Sequence, residues 1–406
     1  MSAPRTVDVL VAGGGPAGMI AGLLFARAGL ETLVLEKHAD FLRDFRGDTV
    51  HPSTLEIFRE LGMLEAFLRR SHERLDRIGM RWRGERLEIA DMRRLPVAAP
   101  FIAFMPQWEF LDFVASEARR LPRFSLMMSA RAESLRVEGG AVRGLRAVAA
   151  DGPVDIGARL TIAADGRHSD VRAAAGLVPR DLGAPIDVLW FALPRSGERV
   201  ADSLINAAPG TAVITIDRGS YWQCAFVIAK GGLDALKAQG LPVLRQRVLD
   251  AAPHVGSDIE ALVDWDQVKL LTVAVNRLDA WSKPGLLCIG DAAHAMSPIG
   301  GVGINLAIQD AVATANLLAP KLRRGDLSAG DLDAIRRRRL WPTKATQFAQ
   351  VRIQNQLLAP LVSGRRDASA PLPLRLAQHL PPMQRLLARA VGLGVRPEHV
   401  SRELLA

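Results

Sequence analysis

Short apolar runs and stretches of helical spacing alternate along the chain. Residues 7–12 (VDVLVA) form an apolar run of strand length, fit for burial on both faces. Residues 17–28 then carry small and apolar side chains at helical spacing, with Gly29 as the stop. Residues 31–35 (ETLVL) predict a second strand, so the first forty residues read as one βαβ unit. Residues 79–92 predict a hairpin turning at Arg83-Gly84-Glu85. Apolar or alternating strands are predicted at 187–193, 212–217 and 221–229. Two further apolar strands end in Asp165-Gly166 and in Gly290-Asp291, each followed by a helix start. The second of these helices is predicted from Ile304 to about Leu318. Residues 281–285 (WSKPG) read as a turn. Residues 331–362 and 381–391 read as helices, separated by the polar, proline-bearing linker 363–373.

The turn of the βαβ unit carries chemistry. Gly13, Gly15 and Gly18 satisfy G-x-G-x-x-G, with Pro16 and Ala17 between them. Glycines permit a tight turn and let backbone amides approach a pyrophosphate at the helix N-terminus. Glu36 follows the second strand, where a carboxylate accepts the hydroxyls of an adenosine ribose, and Lys37 lies beside it. A carboxylate there disfavours a 2′-phosphate, so the expected resident dinucleotide is FAD or NAD rather than NADP. In the third segment, Gly290 allows a sharp turn at a strand end, and Asp291 is placed to accept a hydroxyl. The loop Pro298-Ile299-Gly300-Gly301-Val302-Gly303 leaves amides bare ahead of Ile304.

Composition narrows the class without changing this picture. The 406 residues are 49% hydrophobic and 23% charged, which excludes disordered, collagenous and disulfide-scaffold proteins. Two cysteines, each in an apolar run, read as buried small hydrophobes. The net charge of +9 suggests a polyanion partner, but only seven of the 52 basic residues are Lys. That skew argues for biased codon usage and against a nucleic-acid partner. The densest basic run, Arg336 to Arg339, reads as a solvated helix face. Glycines, Pro16, Arg27 and Glu31 interrupt the apolar N-terminal stretch, so no transmembrane segment is expected and the location expected is cytoplasmic. No metal-spaced His/Cys cluster is found, so no metal is expected.

The ordered trio of GGGPAG, the Asp165-Gly166 segment and the Gly290-Asp291 segment resembles the class A FAD-dependent aromatic hydroxylases, over roughly residues 5–320. The resemblance implies the para-hydroxybenzoate hydroxylase-like fold. That is an α/β architecture with a Rossmann-like FAD-binding domain of GR2 type, an inserted, mostly antiparallel β-sheet substrate domain, and a helical C-terminus. The expected boundaries are 1–75, 100–180 and 270–330 for the FAD domain, 76–99 and 181–269 for the sheet domain, and 331–406 for the helical region.

Further residues are implied by that resemblance. Arg46 and Gln107 would contact FAD, with Arg43 a neighbour competing with Arg46. Asp165 would link the FAD and nicotinamide sites or cap the following helix. Asp291 would reach a ribityl hydroxyl, and Pro298, Gly301, Val302, Gly303 and Ile304 would lie by the isoalloxazine. His168 would face NAD(P)H or be a surface loop residue, while His51 and His294 read as structural. Arg277 is the nearest match to an NADPH-binding Arg. Candidate substrate residues are Trp82, Phe104, Trp190 and Trp222, with Phe101 and Phe226 behind them.

The implied activity is hydroxylation of a small or polycyclic phenol by NAD(P)H and O2 through a flavin C4a-hydroperoxide. No side chain is assigned as the catalytic base. Other reactions on the same fold, namely epoxidation, halogenation or double-bond reduction, remain open. So do a non-enzymatic FAD protein and a polyprenyl-phenol hydroxylase at a membrane surface. The partners expected are an aromatic small molecule and O2, with a homodimer allowed.

Overall fold

The computed structural model describes residues 5–42, 49–82, 85–196, 205–364, 375 and 379–405. Arg43, Arg46, the hairpin tip at 83–84 and most of the 363–373 linker lie outside these residues.

Two large sheets organise the chain. The first runs Ser282–Lys283, Leu286–Cys288, Gly152–Ala163, Arg5–Ala12, Thr32–Leu35, Phe124–Met127, with Ala141–Ala149 and Arg131–Glu138 branching from the long central strand. From Leu286–Cys288 to Phe124–Met127 all neighbours are parallel. Parallel strands are sheltered on both faces, and their inner stretches, such as residues 9–12 and 160–163, are accordingly buried and mostly apolar. The helix Pro16–Arg27 packs on this sheet and against the helix Gly303–Arg324.

One row of the register matters most. Ala12 pairs with Leu35 on one side and with Ala163 on the other, and Ala163 pairs with Cys288. Four strands therefore end level. The residues after them, beginning Gly13, Glu36, Ala164-Asp165 and Ile289-Gly290, emerge along one sheet edge. In open α/β sheets that carboxyl edge is where ligands bind.

The second sheet runs Lys269–Leu271, Ile186–Pro194, Tyr221–Ala229, Thr211–Asp217, Ile205–Ala208, Arg77–Trp82, Glu85–Asp91. Every pairing is antiparallel except that of Ile205–Ala208 with Arg77–Trp82. Its two faces have different covers. Leu189, Phe191, Val213, Trp222, Cys224 and Phe226 pack beneath the helix Leu241–Ala251. Trp190, Ile214 and Ile216 point the other way, toward Phe104, Leu75 and Ala388 of the C-terminal helix Pro381–Gly392.

Three expectations need correction. Residues 281–285 are not only a turn: Ser282–Lys283 and Leu286–Cys288 form a small hairpin. A Cβ at its Gly285 would meet the Val142 oxygen at 2.0 Å. The loop helix is longer than read, Gly303–Arg324. By length and composition Ile299–Arg324 would cross a membrane, but most of it is buried inside the fold. The run 336–339 is not a uniformly solvated face, because four consecutive residues span a full helical turn. Arg337 faces solvent, and Arg336 and Arg337 pair with Asp333. Arg339 is fully buried against Asp310 and Glu398. Both cysteines are free and buried, as their apolar settings suggested.

Candidate cofactor site

The three motifs meet at the level strand ends. Gly13 has φ +106° and lies so close to the second motif that a Cβ would sit 2.4 Å from the Ala164 oxygen and 2.8 Å from the Asp165 Cα. Gly290, at φ +58°, is wedged between Ala17 and Ala307, with Cβ approaches of 3.3 and 3.1 Å. The first motif thus touches both others.

The cradle fits a dinucleotide. The helix Pro16–Arg27 starts at Gly15 with Pro16 in its first turn, no capping side chain and no acidic residue. Its first amides are left for an anion. A Cβ at Gly15 would have nothing within 4 Å, so space lies open there. Glu36 is buried at the end of Thr32–Leu35. Its Oε2 accepts from the Gly14 amide at 3.0 Å and its Oε1 from the His38 amide at 3.0 Å. The His38 ring Nδ1 lies 2.5 Å from Oε1 as well, so the carboxylate is fixed beside the glycine turn. Lys37 is exposed next to it.

The third motif is held from below. The Asp310 carboxylate on the loop helix accepts from the Gly290 amide at 3.1 Å and from His294 Nε2 at 2.6 Å. Its other oxygen accepts from Arg339 Nε at 2.9 Å. Burial would raise this carboxyl, but His294 and Arg339 hold it below the usual carboxylate range. Arg339 also donates to Glu398 at 3.1 Å. His294 is therefore structural, as expected. Asp291 sits on a 3-10 turn, Gly290–Ala292, and is half-buried.

The loop 298–304 follows. Pro298, Gly301, Val302, Gly303 and Ile304 are only partly buried. Gly303–Arg324 begins without a capping side chain or an acidic first turn. Its positive end is free to face the negative edge of a reduced ring. Gly301, at φ +63°, lies against Thr49, whose Oγ1 donates to the Gly301 oxygen at 2.8 Å. Asn305 ties the loop to Thr49, His51 and Thr54.

The remaining candidates scatter. Gln107 opens the helix Gln107–Ala118 and is partly exposed, next to the N-cap Pro106. Ser169 is the N-cap residue of the helix Asp170–Ala174, accepting from the Arg172 amide at 2.9 Å, and Asp165 shares the capping, accepting from the Ser169 hydroxyl and from the first-turn Val171 amide. Burial pushes the Asp165 carboxyl up. His168 is exposed. Arg277 is buried and donates to Gln347 at 2.6 Å. Trp190 and Phe104 lie on the inner side of the antiparallel sheet. Trp82 shares that side but is packed with Met80, Leu87 and Leu361. Trp222 does not join them: strand alternation turns it, with Phe226, to the helix-covered face beside His254. Arg218 is a residue that sequence reasoning missed. It lies over the Phe104 ring at 5.7 Å and donates to Gln223 at 2.8 Å, so cation and amide share the apolar face. Only its cation–π partner in space would have revealed it.

His51 precedes the helix Pro52–Glu60, fully buried, its ring against the Val391 oxygen at 2.8 Å. Burial lowers its pKa to about 4, from 6.5. His254 is lowered to about 4 as well, by burial and by Arg81. A depressed histidine contributes stability that is fully present above pH 6.5 and lost as the pH falls toward 4. For His51 the loss reaches about 3 kcal/mol. Urea midpoints should fall across this window, and His51→Gln should flatten the fall. An unchanged slope would show that His51 is not buried neutral.

Comparison with known proteins gives the same site a family. Residues 6–349 match the FAD binding domain family. The chain is 34% identical over 404 residues to 6-methylpretetramide 4-monooxygenase of Streptomyces rimosus, covering 98% of this chain and 94% of that protein. It is 28% identical over 432 residues to the ubiquinone hydroxylase UbiL of Rhodospirillum rubrum, covering 99% and 94%. The crystallised anhydrotetracycline hydroxylase OxyS of Streptomyces rimosus shares the fold, with a TM-score of 0.76 and 20% identity over 98% of this chain and 78% of that one. The three motifs at one strand edge and the match over most of the chain agree: the protein belongs to the FAD binding domain family, as an FAD-dependent monooxygenase of the aromatic hydroxylase class.

Proposed function

We propose that the protein hydroxylates a multi-ring phenol, using NAD(P)H and O2. The carrying observation is the meeting of three motifs at the level ends of four strands, a cradle shaped for one extended dinucleotide. Bound FAD supplies the redox chemistry: it passes two electrons from the nicotinamide to O2, one oxygen atom going to the ring and the other to water.

The chain's own residues bind, orient and exclude water. The start of Pro16–Arg27 would hold the pyrophosphate, Glu36 the ribose and Asp291 the ribityl chain. The 298–304 loop would meet the pyrimidine edge. The apolar side of the antiparallel sheet, with Trp190, Ile214 and Ile216, would roof the ring and keep water out. Arg218 and Gln223 would orient an oxygen of the substrate. A relative named for 6-methylpretetramide, 34% identical over 98% of this chain, supports a multi-ring substrate. A ubiquinone hydroxylase among the relatives supports a polyprenyl phenol as the second reading. We place the enzyme in the cytoplasm, with a homodimer allowed.

Turnover of FAD-loaded protein with NADH or NADPH under oxygen-18 gas, across a panel of polycyclic phenols and ubiquinone precursors, tests this. Incorporation of one labelled oxygen into one class is the expected result. Donor consumption that yields only a saturated product would assign a reductase instead.

A further inference from the structure

The helix Ala329–Ile353 buries a stripe that is polar where an apolar one is the norm. Arg339, Thr343, Gln347, Gln350 and, one turn on, Gln354 all lie on it, none more than 3% exposed. Their spacing of four, four, three and four residues places them on a single face.

The stripe follows the chain from the third motif to the flavin loop. Arg339 holds Asp310, which holds Gly290. Gln347 Nε2 donates to the oxygens of Asn276 at 2.8 Å and Ala295 at 3.0 Å. Gln350 Nε2 donates to the oxygens of Ser297 and Ile299, both at 2.9 Å, and its Oε1 accepts from the Ser297 amide at 3.2 Å. Gln354 Nε2 donates to Ser297 Oγ at 2.6 Å. Residues 295, 297 and 299 are thus gripped in turn, immediately before Gly300 and Gly301. At Gln354 the helix widens into a π turn, Gln354–Leu358, a form that recurs at functional positions.

We propose that Gln347, Gln350 and Gln354 are positioning residues that set the height of the 295–303 loop against the flavin. The inference rests on the flavin reading of that loop. The backbone ahead of the 3-10 turn Ile299–Gly301, buried at Ala295 and Ser297, needs partners for its amides and carbonyls. Side chains reaching from one rigid helix satisfy them and also fix the loop to a single scaffold. The glutamines contribute through the loop and need not touch the cofactor.

Gln350→Leu tests this, with Leu244→Ala on the far face of the antiparallel sheet as a control of comparable thermal loss. Leu244 is buried in the helix-covered cluster, away from the loop. Three readouts are compared: FAD affinity by fluorescence titration, the visible spectrum of bound flavin, and the thermal midpoint. Gln350→Leu should weaken FAD binding about tenfold or more and shift the flavin bands. The control should lose thermal stability with wild-type affinity and spectrum. Wild-type affinity and bands in Gln350→Leu would overturn the proposal. If that variant does not fold, Gln354→Met serves. It gives up one hydrogen bond and removes an oxygen that has no partner among the described residues. Weaker binding with shifted bands supports the proposal there too, and wild-type values overturn it. A wild-type chain that holds no FAD would overturn the flavin reading, and this proposal with it.

Discussion

Gly15→Ala should fold like the wild type and lose FAD, whereas Gly18→Ala should lose both. Gly15 has φ −73° and ψ 179°, a conformation open to any residue, and an added Cβ meets nothing within 4 Å. Its methyl would project into the space where the pyrophosphate must approach the first amides of Pro16–Arg27. The FAD dissociation constant should rise about 10- to 100-fold with the thermal midpoint of the apo-protein unchanged. At Gly18 the added Cβ would lie 1.9 Å from the Gly13 oxygen. That neighbour is backbone and cannot swing away, so the helix must move off the strand. We expect destabilisation of about 3 kcal/mol or more, with no measurable flavin retained. Calorimetry of apo-protein and flavin titration together read both effects. Equal FAD affinity in Gly15→Ala and wild type would mean that the turn does not face the cofactor.

Asp310→Ala should be the most damaging single change in the interior. It leaves the Arg339 guanidinium buried with Glu398 as its remaining acidic partner, and it strips His294 and the Gly290 amide of their acceptor. Removing one member of a buried ion pair costs about 3–5 kcal/mol. The loss should appear in urea denaturation. It should also appear as weakened FAD binding, because the Gly290-Asp291 turn hangs from this carboxylate. A change below about 1 kcal/mol would show that the network is not closed in solution.

The three motifs were legible because each is local: a strand, a glycine turn and a helix start within a few residues. Their convergence follows from parallel register, which the strand order implies once the family is seen. The antiparallel sheet was legible as strands but not as faces. Both faces of Ile186–Pro194 and Tyr221–Ala229 are largely apolar, one against helices and the other toward Leu75, Phe104 and Ala388. Alternation puts Trp222 with Cys224 and Phe226, but nothing local says which face the helix Leu241–Ala251 covers. The polar stripe of Ala329–Ile353 was missed for the opposite reason. Its apolar residues suggest the buried side, while the partners lie far off in sequence: Arg339 meets Asp310 on the helix Gly303–Arg324, 29 residues away, and Gln347 and Gln350 meet loop carbonyls 52 and 51 residues away. A buried Arg in a run of four looks like its solvated neighbours until Asp310 and Glu398 are placed beside it.

The visible spectrum of the protein, loaded with FAD and then desalted, tests the central claim most directly. The account predicts that flavin bands stay with the protein at one equivalent per chain and disappear in Gly18→Ala. A colourless wild-type protein would contradict the joint reading of Gly13, Glu36 and Asp291 as one cofactor site.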